Sequence, residues 1–449
     1  MTIGVAAILI IAGVCVFMLK DDNSNPPVNN VKSTLALYGN ANGDLEVDTL
    51  DLSLIDEIIA GEKMLRDYPL ADANKDGEVT SADKEIVNKV INEQPCTVNV
   101  VSLTPEGAQT YASVSYPLKN VVPFGTNMLT SLINAGGADY TAGVFKIGYD
   151  NAEVILKTKV DAGDIKNYGA TNRSVSDKVF NAFTAHDGEL INAGEGGIGA
   201  LLLDHSAGTF DERYDALDAA GIPIIRLAVA DPYEEIGCTL LIGYLMGGTA
   251  KSTALNYAVE SLKVINEVQR MVSSLTDATK NTYISITMGK YVCQNNSTYN
   301  QAGKYGGGLA YYLTNEAFAR AYVGNGSAVM SSGEALSNFD DVDFVLSNRT
   351  IDVKTNPGEA LVGDWDNYKS FFVNLDCYEN LVYVNNLLPG AVKIAFVAAI
   401  VSSDKVSMDY AEEVLEKFTG IAKSLNGVTV ENTLIIGTYE DYKAAGGTS

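Results

Sequence analysis

The apolar positions of this chain fall into four regimes. Thr2–Leu19 is an unbroken run of apolar and small residues, closed by Lys20, Asp21 and Asp22. A helix of that length is about what a ~30 Å hydrocarbon core requires, so residues 1–19 are expected to be a signal peptide or membrane anchor. Residues 20–37 follow as a linker whose polar, Pro-containing stretch Asp21–Thr34 holds the remainder off the membrane. In the third regime, Leu54, Ile55, Ile58 and Ile59 recur 32 residues later as Ile86, Val87, Val90 and Ile91. Their i, i+1, i+4, i+5 spacing puts each set on one helical face. Two such faces predict a small two-helix core.

From about residue 97 short apolar runs alternate with helical stretches. Asn120–Phe124, Ala200–Asp204 and Ile222–Leu227 read as strands, with helices over Met128–Ala135, over Phe210–Ala220 and after Asp231 and Pro232. A long amphipathic stretch from about Lys251 to Leu275 comes next. The rhythm then restarts, with strands at Tyr283–Ile286, Val342–Leu346 and Leu381–Val384 and a helix within Tyr410–Leu425. Continuous apolar strands separated by helices mean a parallel sheet covered on both faces. The expected fold class is α/β: two lobes joined by a long connecting helix, preceded by a small all-α module and an N-terminal helix. The boundaries are 38–95 for the small module and 96–449 for the large domain. Within the latter, lobe 1 spans about 97–237, the connecting helix about 240–276 and lobe 2 about 280–449.

Charge narrows the function classes. Thirty-one basic residues against 56 acidic ones give a formal net charge of −25, which argues against a nucleic-acid partner. An acidic surface suits divalent cations instead. The five cysteines contain no CxxC pair, which removes zinc-ribbon and thioredoxin chemistry. Cys96, Cys238, Cys293 and Cys377 could pair outside the cell, in a pattern that spacing does not give. Two histidines in 449 residues, with no GxSxG or HExxH motif, argue against an enzyme.

The third regime also carries a motif. Asn40, Asn42, Asp44, Glu46, Asp48 and Asp51 align at the same 32-residue offset with Asp72, Asn74, Asp76, Glu78, Thr80 and Asp83. Oxygen side chains stand at loop positions 1, 3, 5, 9 and 12, and the backbone carbonyls of Glu46 and Glu78 supply position 7. A hard cation needs six to eight oxygens, and a tight loop delivers them at alternate positions. One or two calcium ions are therefore the expected cofactor. The first loop has Leu45 where the second has the turn glycine Gly77, and Asn40 where the second has Asp72; both changes are expected to weaken it. The module resembles a dockerin: a loop and one helix, repeated, with Asp at position 12. The resemblance implies a cohesin domain as partner, met through Thr49 and Leu50 or Ser81 and Ala82; the alternative is an intramolecular spacer with no cohesin.

The large domain resembles the solute-binding proteins of siderophore, haem and cobalamin ABC importers. The resemblance is carried by the stretch Ala200–Gly248 (strand, loop, helix, AAGIPIIRLAVADPYEEIG, helix), by the opening NVVPFGTNMLTSLINAGGADYTAGV and by Asp340–Asp343 entering a strand. The order of domains behind an N-terminal anchor is similar to proteins of methanogens and related archaea. The resemblance implies a two-lobed binding protein on the outer face of the membrane, serving an ABC permease and its ATPase. Its ligand would be an iron chelate, haem or corrinoid. Residues at strand ends would line the site: Thr126, Asn127, His205, Ser206, Lys290 and Arg349, with Tyr305, Trp365 and Tyr368 as stacking candidates. Glu212 and Glu316 would meet the permease. The competing reading is a surface adhesion or scaffolding protein working through its dockerin.

Overall fold

The computed structural model describes residues 33–104, 107–144, 154–168, 198–205, 221–229 and 232–275 in its N-terminal part. Beyond them it describes 281–287, 291–293, 320–321, 329–331, 343–349, 358–359, 361–363, 379, 381–385, 388–426 and 435–447. The expected leader, Glu212, Glu316, Ser206, Lys290, Tyr305, Trp365, Tyr368 and the helix expected over Phe210–Ala220 lie outside these residues. Among the described residues no helix is long and apolar enough to cross a membrane.

The chain divides into two units. The first comprises residues up to Val229 together with Tyr233–Glu260, and the second comprises Ala230–Pro232 and Ser261 onward. The first unit begins with α1 (Thr49–Ile59) and α2 (Ser81–Ile91). Both start with a capping box. The Asp48 and Thr80 side chains accept from backbone N–H groups of the first turn, and Asp51 and Asp83 reach back to the cap N–H. Leu54, Ile55, Val87 and Val90 are buried, but Ile59 at the end of the expected stripe is 46% exposed. The stripe is thus narrower than its spacing suggested, with Ile59 the last residue of α1. Lys84 pairs with Asp56 across the helices at 2.6 Å. This pair is exposed, so Lys84→Ala is expected to cost less than ~1 kcal/mol in a denaturant titration.

Two features lie at the edges of the small module. Ser33, Thr34, Leu35 and Leu37 are buried, so the last residues of the expected linker belong to the packed module. Residues 96–116 are not part of a parallel sheet. Strands β1 (Cys96–Leu103) and β2 (Gln109–Tyr116) form an antiparallel hairpin of their own. The hairpin is joined to the module by a bridge from Leu37 to Val100, by Tyr38 N–H donating to the Asn99 carbonyl, and by Asn99 Nδ2 donating to the Ala73 carbonyl. Lys75 lies over the rings of Tyr38 and Tyr111, 4.4 and 5.8 Å from their centroids.

The α/β part of the first unit is a three-stranded parallel sheet of β3 (Val121–Phe124), β6 (Ala200–Asp204) and β7 (Ile224–Leu227), in the order β3-β6-β7. A small parallel pair, β4 (Gly143–Val144) and β5 (Lys166–Asn167), is tied to β3 just ahead of β4, by a bridge from Val121 to Thr141 and by Ala142 N–H donating to the Val121 carbonyl at 2.9 Å. Helices α3 (Thr126–Asn134) and α4 (Val154–Ala162) follow β3 and β4, and Leu129, Ile133, Val144, Leu156 and Ile165 close one core cluster. The hairpin is tied to β7: Arg226 N–H donates to Ser102 Oγ at 2.9 Å. Strands β3, β6 and β7 are buried almost throughout, as expected of a parallel sheet covered on both faces.

The helix expected over 240–276 is two helices, α5 (Pro232–Met246) and α6 (Gly248–Val272). Gly247 and Gly248 break it with φ of +71° and +54°, a left-handed turn that glycine enters without a Cβ penalty. The 25-residue α6 contributes residues to both units.

Among the described residues the second unit holds a seven-stranded sheet. Its path runs β11 (Val329–Ser331), β9 (Tyr291–Cys293), β8 (Thr282–Thr287), β12 (Phe344–Arg349), β13 (Leu381–Asn385) and β14 (Ile436–Gly437), with β10 (Arg320–Ala321) also pairing β8. The centre β8-β12-β13 is parallel, whereas β9, β11 and β14 join in antiparallel fashion. Helix α7 (Gly390–Val401) is buried along nearly its whole length. Helix α8 (Met408–Ile421) buries one face through Ala411, Val414, Leu415 and Phe418. A short α9 (Tyr439–Ala444) follows β14. The expected α/β class is the observed one.

Candidate functional site

All twelve expected calcium ligands lie among the described residues. In the second loop, Asp72 at position 1 accepts from the N–H groups of Asp76 (3.2 Å) and Gly77 (3.0 Å). Asn74 and Asp76 exchange hydrogen bonds, and Glu78 N–H donates to Asp76 Oδ1. Asp83 accepts from the N–H groups of Asn74 and Thr80. The first loop repeats this network with Asn42, Asp44, Glu46 and Asp51. The oxygens are therefore oriented by backbone N–H donors, and each carboxylate oxygen keeps a lone pair for a cation.

The loops differ at position 1. Asn40 is fully buried and donates Nδ2 to the carbonyls of Leu35 (2.8 Å) and Asp44 (2.9 Å). That fixes its amide, and its Oδ1 is buried with no hydrogen-bond partner. A buried acceptor without a donor costs free energy, and a cation would satisfy it. Position 6 differs as well. Gly77 has φ +94°, whereas Leu45 is a buried core residue, and the left-handed residue of the first loop is Gly43 (φ +69°), two positions earlier. The second loop is left-handed there too, at Lys75 (φ +62°). The first loop thus turns without a glycine at position 6.

Electrostatics point the same way. Burial, with Asp44 and Asp48 nearby, pushes the Asp51 carboxyl up to about 7. Burial also raises Asp44 and Glu46, with Lys251 opposing the effect at Glu46. Carboxylates crowded in a partly dry loop favour either a proton or a metal ion. Among the described residues no three His, Cys, Asp or Glu side chains are gathered as a ready-made metal site. The donor set here is instead mixed, with Asn40, Asn42 and the Glu46 carbonyl beside the carboxylates. That mixture fits calcium, which takes carbonyl and amide oxygens.

Residues 38–92 match the dockerin type I domain. The match covers both loops and both helices of the module, and the dockerin domain ends just ahead of the β1–β2 hairpin.

The second candidate site lies at strand ends. Phe124 pairs with Leu203, and Asp204 pairs with Leu227. The carboxyl ends of β3, β6 and β7 therefore lie on one edge, where open parallel sheets bind ligands. Gly125 (φ +106°) turns the chain there, and Thr126 and Asn127 open α3. His205 follows β6 directly. Burial and the nearby Arg226 guanidinium hold its pKa below the ordinary value, so the ring is neutral at pH 7. Its Nδ1 is buried with no hydrogen-bond partner. Gly107 of the hairpin sits so close that a Cβ there would lie 3.0 Å from His205 Nε2. The structure thus brings Thr126, Asn127 and His205 to one sheet edge and adds the hairpin turn. Sequence reasoning had no signal for that turn, because Gly107 and His205 are far apart in the chain. In the second unit, Arg349 ends β12 between the parallel strands β8 and β13. Cys96 and Cys238 are free thiols, the latter buried against Met128.

The chain has no significant match among curated proteins. Solved structures similar to it include a TroA-like periplasmic binding protein, FepB, of Veillonella parvula (12% identity, 72% of this chain and 95% of that one, TM-score 0.49). CeuE of Helicobacter pylori with Ni(II) bound has 10% identity over 73% of this chain and 97% of its own, with TM-score 0.49. An ABC transporter solute-binding protein of Sulfurospirillum deleyianum has 10% identity over 77% and 98%, with TM-score 0.45.

Proposed function

We propose that the chain is the substrate-binding component of an ABC importer, held on the outer face of the cell membrane, with a calcium-loaded dockerin domain built into its first lobe. The observation that carries this reading is the architecture. A helix contributes to two α/β units, and each unit presents residues at the carboxyl ends of parallel strands: Thr126, Asn127 and His205 in the first, Arg349 in the second. The sequence resemblance to importer binding proteins supports the same reading and supplies the ligand class. That class is an iron chelate, haem or corrinoid, delivered to a permease and its ATPase. The archaeal assignment rests on domain order alone.

No chemistry is required of the protein in this reading. His205 is neutral and half-buried, suited to accept a hydrogen bond or to contact a metal chelate. His205→Ala is expected to weaken ligand binding by roughly 10-fold or more, the scale of ~1.4 kcal/mol, in isothermal titration calorimetry against haem, a ferric siderophore and cobalamin. Unchanged affinity for whichever ligand binds would remove His205 from the site.

The dockerin match favours a second reading, docking to a cohesin on a neighbouring protein. Leu50, at position 11 of the first loop, is 58% exposed and available for it. Leu50→Asp would then abolish capture by a cohesin and leave solute binding unchanged.

A further inference from the structure

The dockerin domain grips the rest of the first unit at the α5–α6 joint, and one grip passes through a calcium ligand. Position 7 of the first loop is the Glu46 carbonyl, and the N–H of the same peptide belongs to Val47. That N–H donates to the hydroxyl of Tyr244 at 3.3 Å. In a trans peptide the C=O and N–H point in opposite directions. A hydroxyl that receives the N–H therefore holds the carbonyl turned away from itself, on the side of the loop. Tyr244 is fully buried near the end of α5, and Lys251 of α6 lies 4.7 Å above its ring. The second grip comes from the far end of the domain: Gly248 N–H, at the start of α6, donates to Glu93 Oε1 at 3.2 Å. Between these points lies the glycine break at Gly247 and Gly248.

We infer that the cation of the first loop is a staple between the dockerin domain and the α5–α6 joint, acting through the Glu46–Val47 peptide, with Tyr244 as its positioning residue. The inference rests on the calcium reading of the loops and goes beyond it. A cation drawing on the carbonyl polarises the peptide and strengthens the N–H bond to Tyr244. By linkage, the hydrogen bond strengthens the hold on the cation to the same degree. The second loop has no such role, since its position-8 residue Val79 is partly exposed and its contacts run to the β1–β2 hairpin through Ala73 and Lys75.

The test uses the full chain and calcium alone. Competitive chelator titration should resolve two ions. Tyr244→Phe should weaken one of them by about 5-fold, the scale of one net hydrogen bond, and leave the other unchanged. Amide hydrogen exchange, which needs no variant, should show the amides of residues 244–250 slowing when calcium is added. Asp44→Asn should abolish that protection, and Asp76→Asn should not. Two ions bound with exchange at 244–250 insensitive to calcium, or with both affinities unaltered in Tyr244→Phe, would overturn the staple and leave the calcium reading standing. No calcium bound at either loop would overturn both.

Discussion

Chelating calcium from the full chain at pH 7 is expected to lower the melting temperature of its first unit by on the order of 10 °C. A site saturated about 1,000-fold over its Kd contributes ~4 kcal/mol, and each kcal/mol moves the midpoint of a domain this size by ~2–4 °C. The physical reason lies in the first loop. Asp44, Asp48 and Asp51 crowd a partly dry loop whose position 1 carries the orphaned Asn40 Oδ1. Without a cation the loop must hold either a proton or an unbalanced charge. The pH dependence follows from Asp51, raised to about 7 from an ordinary value near ~3.9. Between those values the native, metal-free protein binds a proton that the unfolded chain does not. Its stability is therefore greatest below about pH 4 with respect to this group and falls as pH rises toward 7. Calcium takes the proton's place, so its stabilising effect should be largest at pH 7 to 8 and shrink toward pH 5. Calorimetric scans at pH 5 and pH 7.5, with calcium and with chelator, measure both effects. A calcium shift that grows toward pH 5 would contradict this account of the loop.

Gly243→Ala is expected to destabilise the first unit by about 3 kcal/mol, the upper end of the ~1–3 kcal/mol range for overpacking. Helices α5 and α6 approach so closely that a Cβ at Gly243 would lie 2.2 Å from Ala254 Cβ and 2.6 Å from the Ala250 carbonyl. Neither neighbour can yield: one is a methyl on a helix and the other is backbone. The helices must separate, and the Tyr244 hydroxyl beside the substituted residue moves with them. Denaturant unfolding measures the loss. A change below about 0.5 kcal/mol, the scale of an unremarkable surface substitution, would show that the close approach of the helices is absent in solution.

Local signals were legible and distant ones were not. The two loops of the dockerin match are local, with spacing, helix starts and capping boxes all falling within a dozen residues, so the position of the domain could be read from sequence. Strands such as Ala200–Asp204 were legible because an unbroken apolar run between turn residues has few alternatives. The hairpin was missed for a physical reason. Its buried positions include Asn99 and Ser102, polar residues whose burial depends on the Ala73 carbonyl and on Arg226, one from the module and one from β7. The break between α5 and α6 was legible in part, because the Gly247-Gly248 pair closes the apolar helix ending at Tyr244–Met246 before the amphipathic stretch from about Lys251. At the strand ends, the sequence marked Thr126, Asn127 and His205 by position. The approach of Gly107 to His205 depends on how the hairpin folds back, which no spacing encodes.

Native mass spectrometry of the full chain tests whether it captures a solute for an importer. The full chain would be challenged with haem, a ferric siderophore and cobalamin, with and without calcium chelation. One small molecule is expected to bind per chain at micromolar concentration or below, together with calcium ions that the chelator removes. Calcium alone, with none of the three ligands retained, would contradict the importer reading and leave docking through the dockerin domain as the function.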